Sequence, residues 1–328
     1  MANTKAVSRD TVSEHQTIPE PFLTDLPKNL MEPAEHAKEE GEKIERASES
    51  YAKTAWRRFR RDPLAMIGLI VLTVIALFAL IAPEVSQYAY DSTDFMMILS
   101  PPSREHWFGT DLFGRDVFIR TMYGARISLI IGFACAAINM VIGVFYGGIS
   151  GYFGGKVDMV MMRIVDILSA IPSLLYLILI MMYIGASVRS ILLAMCLTYW
   201  ISTARMVRGE IFRLREQDYV MAAQVCGKSR MYILTHHLLP NSMGSIIVTV
   251  SFLIPSAIFE EAFLSFLGIG IQVPMASLGS MCNDAIPYLM TQPYLMAFPA
   301  ITICITIFAL NFIGDGLRDA LDPRLNKY

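Results

Sequence analysis

Six stretches of this chain carry little or no charge and are rich in leucine, isoleucine, valine, phenylalanine and methionine. No other feature limits its fold as strongly. A helix needs about 20 apolar residues to cross the hydrocarbon of a bilayer. Inside lipid each backbone N–H and C=O must be paired within its own segment, so a run of this kind is predicted to be helical. The runs fall at residues 64–82, 127–150, 159–183, 190–204, 242–267 and 293–313, the fourth being the shortest. Pro172 lies inside the third and predicts a kink, which membrane helices tolerate. The expected fold is an all-α integral membrane protein with six transmembrane helices. Composition agrees: of 328 residues, 54% are hydrophobic and 17% charged, where soluble domains are about a quarter charged.

Charge placement orients the runs. Trp56, Arg57, Arg58, Phe59, Arg60 and Arg61 form a basic, aromatic cluster suited to the headgroup layer. Asp62 and Pro63 then supply an N-cap and a proline for the first helical turn. The arginines place the N-terminus in the cytoplasm, and six crossings return the C-terminus there. Beyond residue 52 the predicted outer segments hold only Arg104, Arg115, Arg120, Arg126 and Arg189. The other lysines and arginines fall on the predicted inner side, apart from Arg163 within the third run. The division is a polar tail at 1–52, an interfacial segment and first helix at 53–83, an external segment at 84–126, a membrane core at 127–317 with a cytoplasmic loop at 205–241, and a short tail at 318–328.

Several function classes lose support here. A net charge of −2 gives no reason to expect nucleic acid. Cys135, Cys196, Cys226, Cys282 and Cys304 are scattered with no C-x-x-C pair, so neither a disulfide framework nor a zinc site is read. Residues 1–50 lack the apolar core of a targeting signal. Within them 32–49 is dense in glutamate and lysine and is expected to be partly helical and mobile. Gly154, Gly155, Lys156 and Val157 superficially resemble a phosphate loop. Ser150 stands where its first glycine is required and Val157 where serine or threonine is required, so a turn is expected. No catalytic residue and no bound cofactor or metal are expected.

The loop 205–241 is the most informative segment. Tyr219 to Gly227 reads as a short helix ended by glycine, the residue best suited to a left-handed helix end. Tyr219, Ala222, Ala223 and Cys226 share one face, and its two alanines let another protein approach closely. A second helix leads to Leu239, and Pro240 opens the fifth run.

The order Ala222-Ala223, Gly227, Leu239-Pro240 resembles the cytoplasmic signature of ABC importer permeases. Met221 stands where many carry an acidic residue, and His237 where an apolar one is common. The flanking blocks resemble one branch, the C-type permease subunit of oligopeptide and dipeptide ABC importers, over about residues 56–328. Those blocks include His106 to Asp111, Gly114 to Phe118, Tyr123 to Leu129, Arg208 to Glu210, Glu261 to Gly268 and Gly314 to Arg324.

The resemblance implies a type I ABC importer permease fold in a prokaryotic plasma (inner) membrane. It implies pairing with a second permease subunit, two cytoplasmic ABC ATPases that use ATP and Mg, and an extracellular or periplasmic solute-binding protein that delivers peptide. Tyr219, Val220, Ala222, Ala223, Cys226, Gly227, Leu239 and Pro240 become the expected ATPase-coupling residues. Nickel or metallophore import by the same machine is an alternative. A self-sufficient secondary transporter is a rival of another class, but it calls for inverted repeats or broken helices, and neither is read.

Three further groups carry alternatives. Arg163 and Asp166 can pair on one helix face, either lining a passage or gate or as a structural ion pair. Glu260 and Glu261 interrupt the fifth run; Glu261 occupies the family's acidic position and is expected either to line the passage or to anchor a neighbouring helix. Trp107, Phe108, Asp111 and Arg115 are candidates for touching the binding protein, with Asp111 capping a turn as the structural alternative. Gly143, Gly147 and Gly151 are expected to pack helices closely. The adjacent His236 and His237 point apart on a helix and are read as interfacial.

Overall fold

In the computed structural model, residues 51–322 are described. The expected mobile tail lies outside the described residues, as do residues 323–328. Among the described residues the regular structure is helical, with one isolated bridge between Thr110 and Asp116 in place of any strand. A basic helix, α1 (Tyr51–Phe59), precedes α2 (Pro63–Val85). Asp62 caps α2 by accepting from the Leu64 amide at 2.9 Å, ahead of the expected proline. Next comes α3 (Val117–Phe153), 37 residues long. The third run is a bent pair, α4 (Gly155–Ser169) and α5 (Ser173–Ile184), which meet at 73°. Pro172 sits at the break; a proline supplies no amide to the ladder and clashes with the preceding turn.

The fourth span is α6 (Val188–Thr198) followed at once by α7 (Trp200–Leu214). The expected 190–204 is therefore too short, and the first part of loop 205–241 is helical. Val207, Ile211 and Leu214 hold the extra turns to the core. Two short helices follow, α8 (Asp218–Val225) and α9 (Arg230–Ile233). A π-helical turn, Leu234–Leu238, joins α9 to α10 (Leu239–Phe266). Then come α11 (Leu278–Ala285) and α12 (Tyr294–Leu321). Five helical runs and the bent pair are long and apolar enough to cross a membrane.

The second span begins earlier than its uncharged core, so segment 84–126 contains the first turns of α3. Asp116 starts the helix by accepting from the Ile119 amide at 2.8 Å. The arginines that hid this start in the sequence are satisfied locally. Arg120 pairs with Asp111 and donates to the Tyr90 carbonyl at 2.9 Å. Arg126 pairs with Glu84 at 2.8 Å and caps the end of α2 through the carbonyls of Ala79 and Leu80.

Between apolar helices in lipid there is no water to expel, so close packing and polar contacts hold the bundle. The expected glycine row supplies the closest approach. A methyl group on Gly147 would lie 2.3 Å from the Ala204 carbonyl oxygen. The same addition at Gly143 would meet Thr203 at 2.6 Å, and at Gly151 the Arg208 carbonyl at 2.8 Å. The row is thus the seat of α7 on α3.

Candidate functional site: the coupling segment and the membrane carboxylates

Beyond Leu214 the chain turns back and lays α8 across the end of the bundle. Val220 is fully buried among Val207, Ile211, Leu214, Ile233, Leu234 and Leu238. It is the pin that fixes α8, and it does not face outward with its expected companions. Ala223 is half-buried beside it, whereas Tyr219, Ala222 and Cys226 are exposed. Met221 and Val225 are exposed as well, Val225 at 89%. Sequence reasoning missed this pair because a motif-based face leaves them out; their signal is an apolar side chain on a helix flanked by Asp218 and Lys228.

Gly227 ends the helix as expected, with φ at +73°. Its N–H donates to the Gln224 carbonyl at 2.9 Å, and the Lys228 N–H to the Ala223 carbonyl at 3.2 Å, so two end-of-helix carbonyls are satisfied. Ser229 then caps α9 through the Tyr232 amide. Leu239 is half-buried and Pro240 exposed at the start of α10. His236 stacks on Tyr232 at 4.2 Å and accompanies no metal site; among the described residues no three metal-binding side chains cluster.

Polar contacts tie this end together. Arg208 on α7 grips Asp158 on α4, with Nη2 to Oδ2 at 2.6 Å, and Ser150 on α3 donates to Asp158 at 2.6 Å. Arg215 donates to the Gly151 carbonyl at 3.1 Å. Gly154 and Gly155, both at positive φ, form the turn from α3 into α4 that the sequence implied.

The charged pairs within the spans differ from expectation. Asp166 does not pair with Arg163. Its partner is Arg205 on α7, at 3.1 Å, which also donates to Ser169 at 2.8 Å. Three positions along one helix permit a pair, but α7 packs close enough to offer a cation first. Arg163 is exposed. Glu261 is fully buried and accepts from Ser128 of α3 at 2.7 Å and Ser265 at 3.0 Å. This favours the anchor over the passage reading. Its neighbour Glu260 is half-buried and accepts from the Tyr199 hydroxyl at 2.6 Å.

At the opposite end of the bundle, Asp111 accepts from the amides of Phe113 and Arg115 and from Arg115 Nε at 2.7 Å, closing the turn it was expected to cap. Arg115 is buried, and Phe108 stacks on Phe298 at 3.8 Å. Of the four binding-protein candidates only Trp107 is widely exposed. His106 bonds Asp116 at 2.7 Å beneath it. Asp284 on α11 lies in the same network. Burial pushes its carboxyl above the usual range, and the Arg120 and Arg115 guanidiniums draw it partly back.

Residues 119–327 match the model of the binding-protein-dependent transport system inner membrane component, and residues 50–102 that of the N-terminal TM domain of oligopeptide transport permease C. The chain belongs to the binding-protein-dependent transport inner membrane component family. Among its relatives, the oligopeptide transport system permease protein OppC of Bacillus subtilis is 49% identical, over 93% of this chain and 100% of its own length. The dipeptide transport system permease protein DppC of the same organism is 45% identical over 88% and 90%. The Escherichia coli OppC is 44% identical over 86% and 94%. Inward-facing structures of the MetNI methionine ABC transporter share the fold, one with a TM-score of 0.51 at 18% identity, covering 61% of this chain and 94% of that one. A second crystal form gives 0.52. Membership in the family makes this a multi-pass inner-membrane permease component with the type I ABC importer permease fold.

Proposed function

We propose that the chain is one of two permease subunits in an ATP-driven importer of di- or oligopeptides, with both termini in the cytoplasm. Separate ATPases dock at α8, and an external binding protein delivers the peptide. The permease opens alternately to the two sides as ATP is bound and hydrolysed by those partners; this chain supplies the membrane path and the coupling contact. Peptide as the cargo follows the names of the relatives.

The observation that carries the coupling role is α8. It is short, held to the bundle by Val220, and exposes Tyr219, Ala222, Cys226, Met221 and Val225 to a partner. A rigid helix pinned between the ends of α7 and α10 moves with whatever grips it. The network Arg208, Asp158 and Ser150 then carries that motion to α3 and α4.

The test is affinity purification of the tagged chain from native membranes in mild detergent, with mass spectrometry of its companions, followed by reconstitution. A second six-span protein, ATPases and ATP-dependent peptide uptake are expected. A chain that purifies alone and moves solute in liposomes without ATP overturns the reading. Nickel or metallophore uptake in place of peptide would overturn the cargo alone.

A further inference from the structure

Of the two adjacent glutamates in α10, the one without a family role is half-buried, not enclosed. Glu260 lies about 9 Å inside the α10 end at Phe266, at 1.5 Å per residue. Among the described residues the one hydrogen-bond partner of its side chain is the Tyr199 hydroxyl, from the junction of α6 and α7. Among the described residues no lysine, arginine or histidine pairs with it. Glu261, turned by about 100°, is enclosed and satisfied by two serines. A carboxylate at membrane depth without a cation is costly against lipid, and such groups face protein or a water-filled cavity.

The rest of the helix favours water. Asn241, Ser245, Thr249 and Ser256 fall within about 100° of arc with Glu260, at 3.6 residues per turn. Asn241, Ser245 and Ser256 are exposed and Thr249 partly so. Asn241, Ser245 and Thr249 border a polar cleft of about 470 Å³, with Glu210 and Arg213 of α7 and Arg318 of α12 on its other walls. On α2 the exposed positions between Leu64 and Ile81 are apolar except Thr73, whose hydroxyl is returned to the Leu69 carbonyl, so α2 offers one lone hydroxyl where α10 carries a row ending in a carboxylate. Phe259 and Phe263, both exposed with near-parallel rings 6.3 Å apart, lie beside this row on α10.

We propose that the α10 row from Asn241 to Glu260 is this chain's half of the passage, and that Glu260, aimed by Tyr199, is a station in it for the α-ammonium group of a peptide. The proposal rests on the importer reading. The carboxylate binds the one cation that every peptide with a free amino terminus carries. The hydroxyls beyond it offer hydrogen bonds indifferent to side-chain identity, and the two rings offer apolar surface.

The test uses the whole complex in proteoliposomes, with the native cysteines replaced and Ser256→Cys introduced, one helical turn from Glu260. Its rate of modification is measured with a trimethylammonium-ethyl thiosulfonate and with the anionic sulfonatoethyl analogue. With each rate divided by that reagent's rate on a free thiol in solution, the cationic reagent is expected to react at least about tenfold faster, as a focused local charge produces. Glu260→Gln should erase the ratio, and saturating peptide should protect the thiol. Reaction with a lipid-soluble maleimide but neither charged reagent would place the row in lipid and overturn the proposal; so would no reaction at all, or a ratio that survives Glu260→Gln.

A second measurement needs no cysteine replacement. Glu260→Asp keeps the charge and should retain most peptide uptake, whereas Glu260→Gln, which still accepts from Tyr199, should lose at least tenfold. Wild-type uptake in Glu260→Gln overturns the station. Absence of uptake in the unaltered complex would instead sink the importer reading.

Discussion

Single residues in this protein divide sharply between those that face inward and those that do not. Glu261 accepts from Ser128 and Ser265 while wholly enclosed. Glu261→Ala strands those hydroxyls and should cost about 1–3 kcal/mol. The check is the melting temperature of the purified protein in detergent; an unchanged value would remove Glu261 as an anchor. Gly227 makes a different prediction. Space around it is open, but its φ of +73° strains a side chain. Gly227→Asp is expected to insert normally and to lose peptide uptake, because the end of α8 shifts where the ATPase would grip. Normal uptake at normal membrane level would refute the coupling assignment.

Helical elements show what holds α7 in place. Adding even a methyl at Gly147 would press on the Ala204 backbone, and no side-chain adjustment relieves a backbone clash. Gly147→Val should therefore destabilise by at least 1–3 kcal/mol, read as lower membrane yield and a lower melting temperature. Equal stability would show that α3 and α7 can separate freely. At this scale the sequence was most informative where charge was absent. The uncharged core of each span, the Pro172 break and the helix ending at Gly227 were all readable from residue type and spacing. The start of α3 was not, because Arg120 and Arg126 look like loop residues until Asp111, Tyr90 and the end of α2 are seen to absorb them. Asp166 chose Arg205 over Arg163 for a similar reason: partners across a packed helix pair are invisible in a one-dimensional spacing rule. The inward turn of Val220 was hidden inside a motif whose other members face out.

At the scale of the whole molecule, one end of the bundle exposes a small helix and the other exposes Trp107, among other apolar side chains, beside a buried ion-pair network. Native Cys226 on exposed α8 gives a direct reading of assembly. In the isolated chain a membrane-impermeant maleimide should label it. In the complex with the ATPases, labelling should fall by about tenfold, an estimate based on the exclusion of solvent around a buried contact. Cys226→Ser should remove the protectable signal. Equal labelling in both states would place the ATPase elsewhere. Trp107→Ala should leave assembly unchanged and weaken peptide uptake only where the binding protein is needed for delivery.

The helical run from Arg230 to Phe266 has a mechanical consequence. At 37 residues it spans up to about 55 Å at 1.5 Å per residue, with a π-helical turn at Leu234–Leu238 and Pro255 along it, the pinned α8 at one extremity and Glu260 near the other. A rock of about 10° around its midpoint would carry each tip about 5 Å in opposite directions, as on a seesaw, by simple trigonometry on that length. Pulling the α8 end toward a closing partner would thus swing the Glu260 end the other way. On the proposed importer reading, this one run would open one mouth while narrowing the other.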